Sequence, residues 1–512
     1  MNKNVMKIMK RTINAIAIAL VSTGMLTGCS DSFLTVESYT DESIETYFTT
    51  DEAVQEAVVA AYGPLQWSDW TGEEYNPVTI MSDIMADDLW VGGANATDNQ
   101  FWHLMMNYEA LPNNCMTSLW WVAYSGIKRC NDVITYIGWA ADDITDNDAL
   151  YYEAQVRVLR VFYYNWLWKF WGNIPYYEEN LEYPYLCDQY TADEVYDFMM
   201  ADLEGAIALD ALPMVEDEDD YGRVTLAMAY MLYAEIVMYQ NDDTRYNQAL
   251  AYMEAIINSG DYSLVDDYTT IFLEEGEWSS ESIFEVNYKD DNAVRSWSGP
   301  LVAGGTVLPR LLGPNAWADG TDGHDNGWGF CPVRTETYEM FSSYDTRRDA
   351  TCWNAAAVGD YDPRYQDTGY FLEKYTAKTG DNADQLADAD LNYNNNLRIY
   401  RYAETLLNAA ELLIRGASGS GNATTYLNMV RNRAGLGDTT ASLTTILNER
   451  HLEFVGEGKR YWDLVRTGYA SSTLVPDDYG YRTNTWSESK KYLPIPQSEI
   501  DAAQGTLTQN DY

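Results

Sequence analysis

The chain has 512 residues and a formal net charge of −47, from 79 acidic against 32 basic residues. A field of that sign repels nucleic acid, whose binding is driven by Lys and Arg displacing counterions, so nucleic-acid partners are excluded. It disfavours polyanionic ligands less strongly, because salt screens surface charge over about 8 Å.

Lys3, Lys7, Lys10 and Arg11 precede an apolar run over residues 13–21 and then Leu26-Thr27-Gly28-Cys29, before any acidic residue. Basic, then apolar, then small is the order of a secretory signal. The run falls short of the roughly 20 apolar residues of a spanning helix. The cleavage end is similar to a bacterial lipobox, which predicts removal of residues 1–28 and a lipid on Cys29. Each buried acyl methylene contributes about 0.8 kcal/mol, enough in a multiply acylated Cys29 to hold the protein on a membrane. The processed chain would carry 28 basic against 79 acidic residues, net −51. Lipidation leaves five of the six cysteines, an odd number. Cys115 and Cys130 fall in one expected helix, about 22 Å apart at about 1.5 Å per residue, too far for a disulfide; Cys331 and Cys352 stay open as a pair.

Helical signals fill residues 44–259. Over residues 151–171, Leu159, Tyr163, Trp166 and Phe170 recur at spacings of four, three and four, one face of a helix that Gly172 and Pro175 stop. Residues 223–240 are apolar on most sides, Asn241-Asp242-Asp243 turns the chain, and a second helix runs to Gly260. This helix-turn-helix, with small and aromatic residues on the facing sides, looks like a tetratricopeptide unit. The pattern returns over residues 402–415 and 423–434, and such units should stack. The acidic run 216–220 reads as a solvated loop. Residues 260–395 differ: Gly-Pro, Gly-Gly and Asp-Gly turns, a short strand at 283–287, and Trp297, Trp317 and Trp328. Long irregular segments carry function or disorder, and three tryptophans argue for binding. The expected organisation is a signal over 1–28, a helical region over 29–259, and a C-terminal region over 260–512 that includes the loop-rich 260–395.

The last third carries Asn432-Arg433-Ala434-Gly435-Leu436, then Glu449-Arg450-His451-Leu452-Glu453-Phe454, then residues 457–466, and closes on Leu493-Pro494-Ile495-Pro496 and Gln509-Asn510-Asp511-Tyr512. Upstream stand Trp171-Gly172-Asn173-Ile174-Pro175 and Arg401-Tyr402-Ala403-Glu404. In this order they resemble the SusD/RagB family; His451-Leu452 departs from its pattern, putting one local ion pair in question. The resemblance implies a mostly α fold with stacked tetratricopeptide-like helix pairs and an irregular ligand-binding region. It also implies a lipid-anchored protein on the outer face of an outer membrane, passing oligosaccharides to a SusC-like TonB-dependent transporter. Peptide capture of the RagB kind and a surface glycoside hydrolase are the alternatives. By spacing, Glu449, Glu453 and Glu457 share a helix face, and Arg460 and Asp463 are placed to pair.

The aromatic residues are 42 Tyr and 17 Trp against 12 Phe, rings with a polar edge. A pyranose offers C–H groups on its face and hydroxyls at its rim, so such rings can cover the first while amides, carboxylates or guanidinium groups bond the second. The candidates are Trp90 with Asn95, in a stretch whose acid pair and glycines suggest an exposed loop, then Trp297 and Trp317, and Trp70 at a helix end. Trp166, Trp168, Trp171 and Trp462 read as packing, and so does Trp328 in Gly327-Trp328-Gly329. Asp319, Asp322 and Asp325 could offer oxygens to Ca²⁺, but their spacing is not that of an EF-hand and Asp is a common turn residue; no other cofactor is expected. His103, His324 and His451 form no metal-ligand spacing. A glycosidase needs only two carboxylates, but Glu449 and Glu453 stand beside Arg450 and read as salt-bridge partners. The reading is a binder and not an enzyme.

Overall fold

A computed structural model describes residues 43–318 and 322–512; Cys29 and Asp319 lie outside the described residues. Residues 43–48, the described part of an N-terminal unit, hold the short helix Ile44–Tyr47, and the second unit starts at Thr49. In that second unit α1 (Asp51–Trp67) opens on Thr50, whose side chain accepts the Ala53 N–H. It packs on α2 (Ser118–Trp139), which packs on α3 (Asp146–Trp171), which packs on α4 (Ala192–Ala208).

The sequence predicts one apolar face for α3, yet its residues 158–171 are buried on every side. Gly126 on α2 permits this, since a Cβ there would lie 2.4 Å from the Tyr163 ring. Arg160, inside this packing, gives Nε and Nη2 to the two oxygens of Asp202 on α4 at 2.8 Å each. Gly172, at φ +68°, ends the helix.

The paired helices expected downstream are present as α5 (Leu226–Gln240) with α6 (Tyr246–Ser259), and α7 (Tyr402–Ile414) with α8 (Ala423–Arg433); α6 packs on α7. Asn241, at φ +61°, makes the turn between the first two. The fold is mostly helical, as read. Two-stranded antiparallel pairs interrupt it: β1 (Ile174–Pro175) with β2 (Gln189–Tyr190), β3 (Ser282–Val286) with β6 (Leu397–Arg401), and β4 (Cys352–Asn354) with β5 (Tyr370–Leu372). Among the described residues no helix is long and apolar enough to cross a membrane. Cys115 precedes α2 instead of lying on it, because the chain turns at Leu111–Asn114 first; all five described cysteines are free, Cys331 and Cys352 among them.

The C-terminal acids and arginines form one buried network. Glu453, the last residue of α9 (Leu443–Glu453), accepts from Arg347 at 2.9 Å, Arg401 at 3.0 Å and Arg433 at 2.6 Å. Arg401 also meets Glu281 at 2.6 Å and Glu457 at 2.8 Å, and Lys374 meets Glu457 at 2.7 Å. Asp345 and Glu449 complete the contacts of Arg347, and Arg431 those of Glu449. Cations and carboxylates thus match one for one, which a buried charge requires.

Two expected alignments are corrected. Glu457 does not share the face of α9, because the helix ends at Glu453 and Gly456, at φ +80°, redirects the chain. Arg460 on α10 (Arg460–Arg466) does not pair with Asp463; it forks onto both oxygens of Asp87 at 2.8 and 3.0 Å. Asp463 turns inward to Arg450 at 2.7 Å and Arg466 at 2.6 Å. His451 replaces the pair in question with a contact of its own, Nε2 to Asp88 at 2.6 Å.

Burial alone would raise the Glu453 carboxyl, but Arg433, Arg401 and Arg347 outweigh it and hold it well below the usual carboxylate range. Its contribution is therefore present above the ordinary glutamate value of 4.5 and is lost as pH falls below it. Glu453→Ala leaves three guanidinium groups short of a partner. Urea denaturation at neutral pH should show a loss of about 3–5 kcal/mol, with the gap to wild type narrowing as the pH is lowered through the acid range.

Candidate functional site

The second unit gathers four rings, Trp70, Tyr75, Trp297 and Trp328, from three separate stretches of chain. Trp70 and Tyr75 flank a tight turn just beyond α1: Thr71 and Glu74 exchange backbone hydrogen bonds at 3.1 and 3.0 Å, with Gly72 and Glu73 at φ +59° and +66°. Positive φ at both central positions is the geometry that sets flanking residues side by side, and the two ring centroids lie 4.6 Å apart. Trp297 sits at the tip of a second tight turn, Ser296 to Gly299, where the Gly299 N–H donates to the Ser296 carbonyl at 3.0 Å. Its ring meets Trp70 edge-on at 5.1 Å and lies near-parallel to Trp328 at 6.1 Å. Trp328 closes the group against Tyr75 at 5.8 Å.

An ion pair beneath the rings fixes both turns. Arg295 Nη2 and Nη1 donate to Asp69 Oδ1 and Oδ2 at 2.6 and 3.0 Å, and Nη2 also reaches the Trp70 carbonyl at 2.9 Å. Thr306 Oγ1 and the Val307 N–H complete the carboxylate at 2.8 Å each. Asp69 adjoins Trp70, and Arg295 stands two residues before Trp297. One buried, bidentate and fully bonded pair therefore sets the spacing of two tryptophans. Trp297 is 37 % exposed, and the other three rings are half-buried. Polar groups stand close by: Asp388 Oδ2 accepts the Trp297 N–H at 3.0 Å, and Arg310 pairs with Asp390 at 3.0 Å. Burial, then Asp390 and Asp98, push the Tyr75 phenol up to about 12, so it stays protonated and able to donate at neutral pH. Among the described residues the Trp70 Nε1 has no hydrogen-bond partner.

The structure separates the sequence candidates. Trp297 and Trp70 come together. Asn95 is exposed, but its Oδ1 is taken by the Thr97 N–H and hydroxyl at 2.9 and 2.6 Å. Trp90 is corrected: it is 2 % exposed, under the Arg334 guanidinium at 3.7 Å and against Tyr481 at 5.1 Å. The glycines after it mark close backbone approach rather than an open loop. Residues 89 and 92 bridge to 333 and 330, and a Cβ on Gly92 would lie 2.4 Å from the Gly329 carbonyl oxygen. Trp317 is corrected as well, being 9 % exposed and packed with Trp353, Phe371 and Tyr361. Its ring fits over Gly359, where a Cβ would lie 2.3 Å away.

Trp328, read as packing, shares the four-ring group, and Tyr75 escaped notice. The signal for Tyr75 is Gly72-Glu73, whose turn brings it beside Trp70. Of the calcium candidates, Asp322 is engaged by the His324 ring at 3.0 Å, and Asp325 by Tyr393 and the Asn326 N–H. Glu449 and Glu453, the acid/base alternative, are committed to arginines.

Residues 171–512 match the model of the SusD family, and residues 90–222 match a model described as starch-binding associating with outer membrane. A solved structure, surface glycan-binding protein A from Bacteroides thetaiotaomicron in complex with laminarihexaose, is 66 % identical, covering 91 % of this chain and 100 % of that one with a TM-score of 0.88. A laminarin-binding SusD-like protein is 30 % identical over 90 % of this chain and 99 % of its own, at a TM-score of 0.80. SusD-like protein P2 of Formosa agariphila is 24 % identical over 95 % of this chain and 97 % of its own.

The two classes of tryptophan should part in a stability assay. Trp317→Ala is expected to cost about 3–5 kcal/mol by chemical denaturation, the range for removing a large buried ring. Trp297→Ala should cost less than about 1 kcal/mol, because its ring already meets water.

Proposed function

This chain belongs to the SusD family, and we propose that it captures laminarin-type gluco-oligosaccharides at the cell surface on the rings of Trp70, Tyr75, Trp297 and Trp328. The observation that carries the reading is an exposed Trp297 ring backed by three others and fixed from below by the Asp69–Arg295 pair. A structure holding laminarihexaose at 66 % identity supports the choice of ligand. In a β-linked glucose the hydroxyls are equatorial, so the faces of the ring are C–H surfaces suited to an indole, and the rim is left to polar neighbours. The Tyr75 hydroxyl, a donor at neutral pH, and the carboxylates of Asp388 and Asp390 are such neighbours. Holding rings rigid before the ligand arrives reduces the ordering cost of binding.

Within this reading the chain binds without cleaving, since the carboxylates of the C-terminal network are neutralised by arginines. It is held to the outer membrane by lipid on Cys29, and it hands its ligand to a SusC-like TonB-dependent transporter.

Titration calorimetry of the purified protein with laminarihexaose should give saturable binding. Trp297→Ala and Trp328→Ala should each weaken it about 10-fold, close to 1.4 kcal/mol, with no new reducing ends released on prolonged incubation. Affinity unchanged in both variants would remove the four rings from the ligand, and multiple turnovers would make the protein a hydrolase. Cys29→Ser should abolish incorporation of labelled palmitate and move the protein from the membrane fraction to the soluble one; retention of the label would refute the anchor.

A further inference from the structure

A second aromatic pair, away from the four rings, borders a cavity. Tyr221 and Trp278 stack with centroids 5.4 Å apart and planes at 23°. Tyr221 helps wall two hollows: one of about 290 Å³, shared with Tyr62, Leu65, Gln66, Asp220 and Arg223, and one of about 140 Å³, shared with Trp278 and Ser280. The larger stands at the lower end of the ~300–1,000 Å³ range of ligand sites, the scale of about one hexose unit.

The pair is held more rigidly than simple packing demands. Trp278 is at φ +50°, a left-handed conformation that bulky residues rarely adopt. Its backbone N–H donates to Glu285 Oε1 at 3.2 Å and its Nε1 to Asn287 Oδ1 at 2.9 Å. Asn287 Nδ2 then donates to the Tyr221 carbonyl at 3.0 Å, and the Asn287 carbonyl accepts Gln66 Nε2 at 2.5 Å. Gly222, at φ +105°, leaves room for this, since a Cβ there would lie 2.4 Å from Asn287 Nδ2. Asn287 is thus a hub fixing both rings, while Tyr221 remains 37 % exposed. Strain that the surroundings enforce gathers where ligands bind. At the rim Arg223 gives Nε to Asp220 at 2.6 Å, using one of its five N–H donors.

We propose that the Tyr221 cavity is a second carbohydrate subsite, taking one neutral hexose unit with its C–H face on the Tyr221 ring and its hydroxyls on Asp220, Arg223 and Gln66. The class of ligand rests on the glycan reading above; the cavity and its fixed rings do not. Gln66 lies four residues before Trp70, so their Cα atoms are at most about 14 Å apart. Ala303, on the cavity wall, lies six residues after Trp297. The walls of the cavity and the four-ring group therefore share two stretches of chain.

The test is ¹⁹F NMR of the protein labelled with 5-fluorotryptophan and titrated with laminarihexaose, with the Trp278 signal assigned through Trp278→Phe. The signal of Trp278 should shift in wild type and in a Trp297→Ala/Trp328→Ala double variant alike, and Tyr221→Ala should weaken that response about 10-fold. A Trp278 signal that stays still in wild type, that loses its response in the double variant, or that shifts equally with Tyr221→Ala overturns the subsite. Signals of Trp297 and Trp328 that stay still while that of Trp278 moves would instead sink the four-ring reading and leave this cavity as the glycan site.

Discussion

Arg401 is the residue on which the two halves of the fold meet. It ends β6 and immediately precedes α7, and its guanidinium reaches Glu281 beside β3, Glu453 at the end of α9 and Glu457 beyond it. A fully buried cation is tolerated only with matched and well-bonded anions, so these segments must all arrive for any to be stable. The irregular middle of the chain, with its short strands, would otherwise have little to define its place. Arg347 and Lys374, both from that stretch, enter the same network and pin it to the C-terminal helices.

The ring group repeats this logic on a smaller scale. Asp69 and Arg295 are 226 residues apart in sequence, and their contact brings a turn after α1 against a turn in the loop-rich region. Neither turn is long, and each carries one tryptophan within two residues of its charged residue. The aromatic spacing is therefore set by a short, directional contact and not by packing of the rings alone, a rigid support for a reversible grip.

The helices were legible because their apolar residues recur at helical spacing and because Gly172, Asn241 and Gly260 sit where left-handed caps are needed. Glu449 and Glu453 were legible as salt-bridge partners, since acids beside an arginine on a helix seldom stay alone. The exposure of a tryptophan in an irregular segment was not legible, because partners dozens to hundreds of residues away decide it. Trp90 is covered by Arg334 and Tyr481, and Trp317 by Trp353 and Phe371. Gly92-Gly93 shows the ambiguity at its sharpest, for a glycine pair serves an open loop and a tight crossing of two backbones equally well. Trp328 illustrates the converse, a residue whose place in the ring group depends on neighbours that no local pattern names.

The interior also takes more than its share of the positive charge. A larger fraction of the basic residues than of the acidic ones is buried, Arg160, Arg295, Arg347 and Arg401 among them, in a chain whose formal charge is already −47. The outer skin is correspondingly enriched in carboxylates over cations. Two copies approaching one another in dilute buffer each see a surface of net negative charge, whose repulsion keeps them dispersed and weakens as ionic strength rises. Concealing the guanidinium groups therefore governs colloidal behaviour as well as folding.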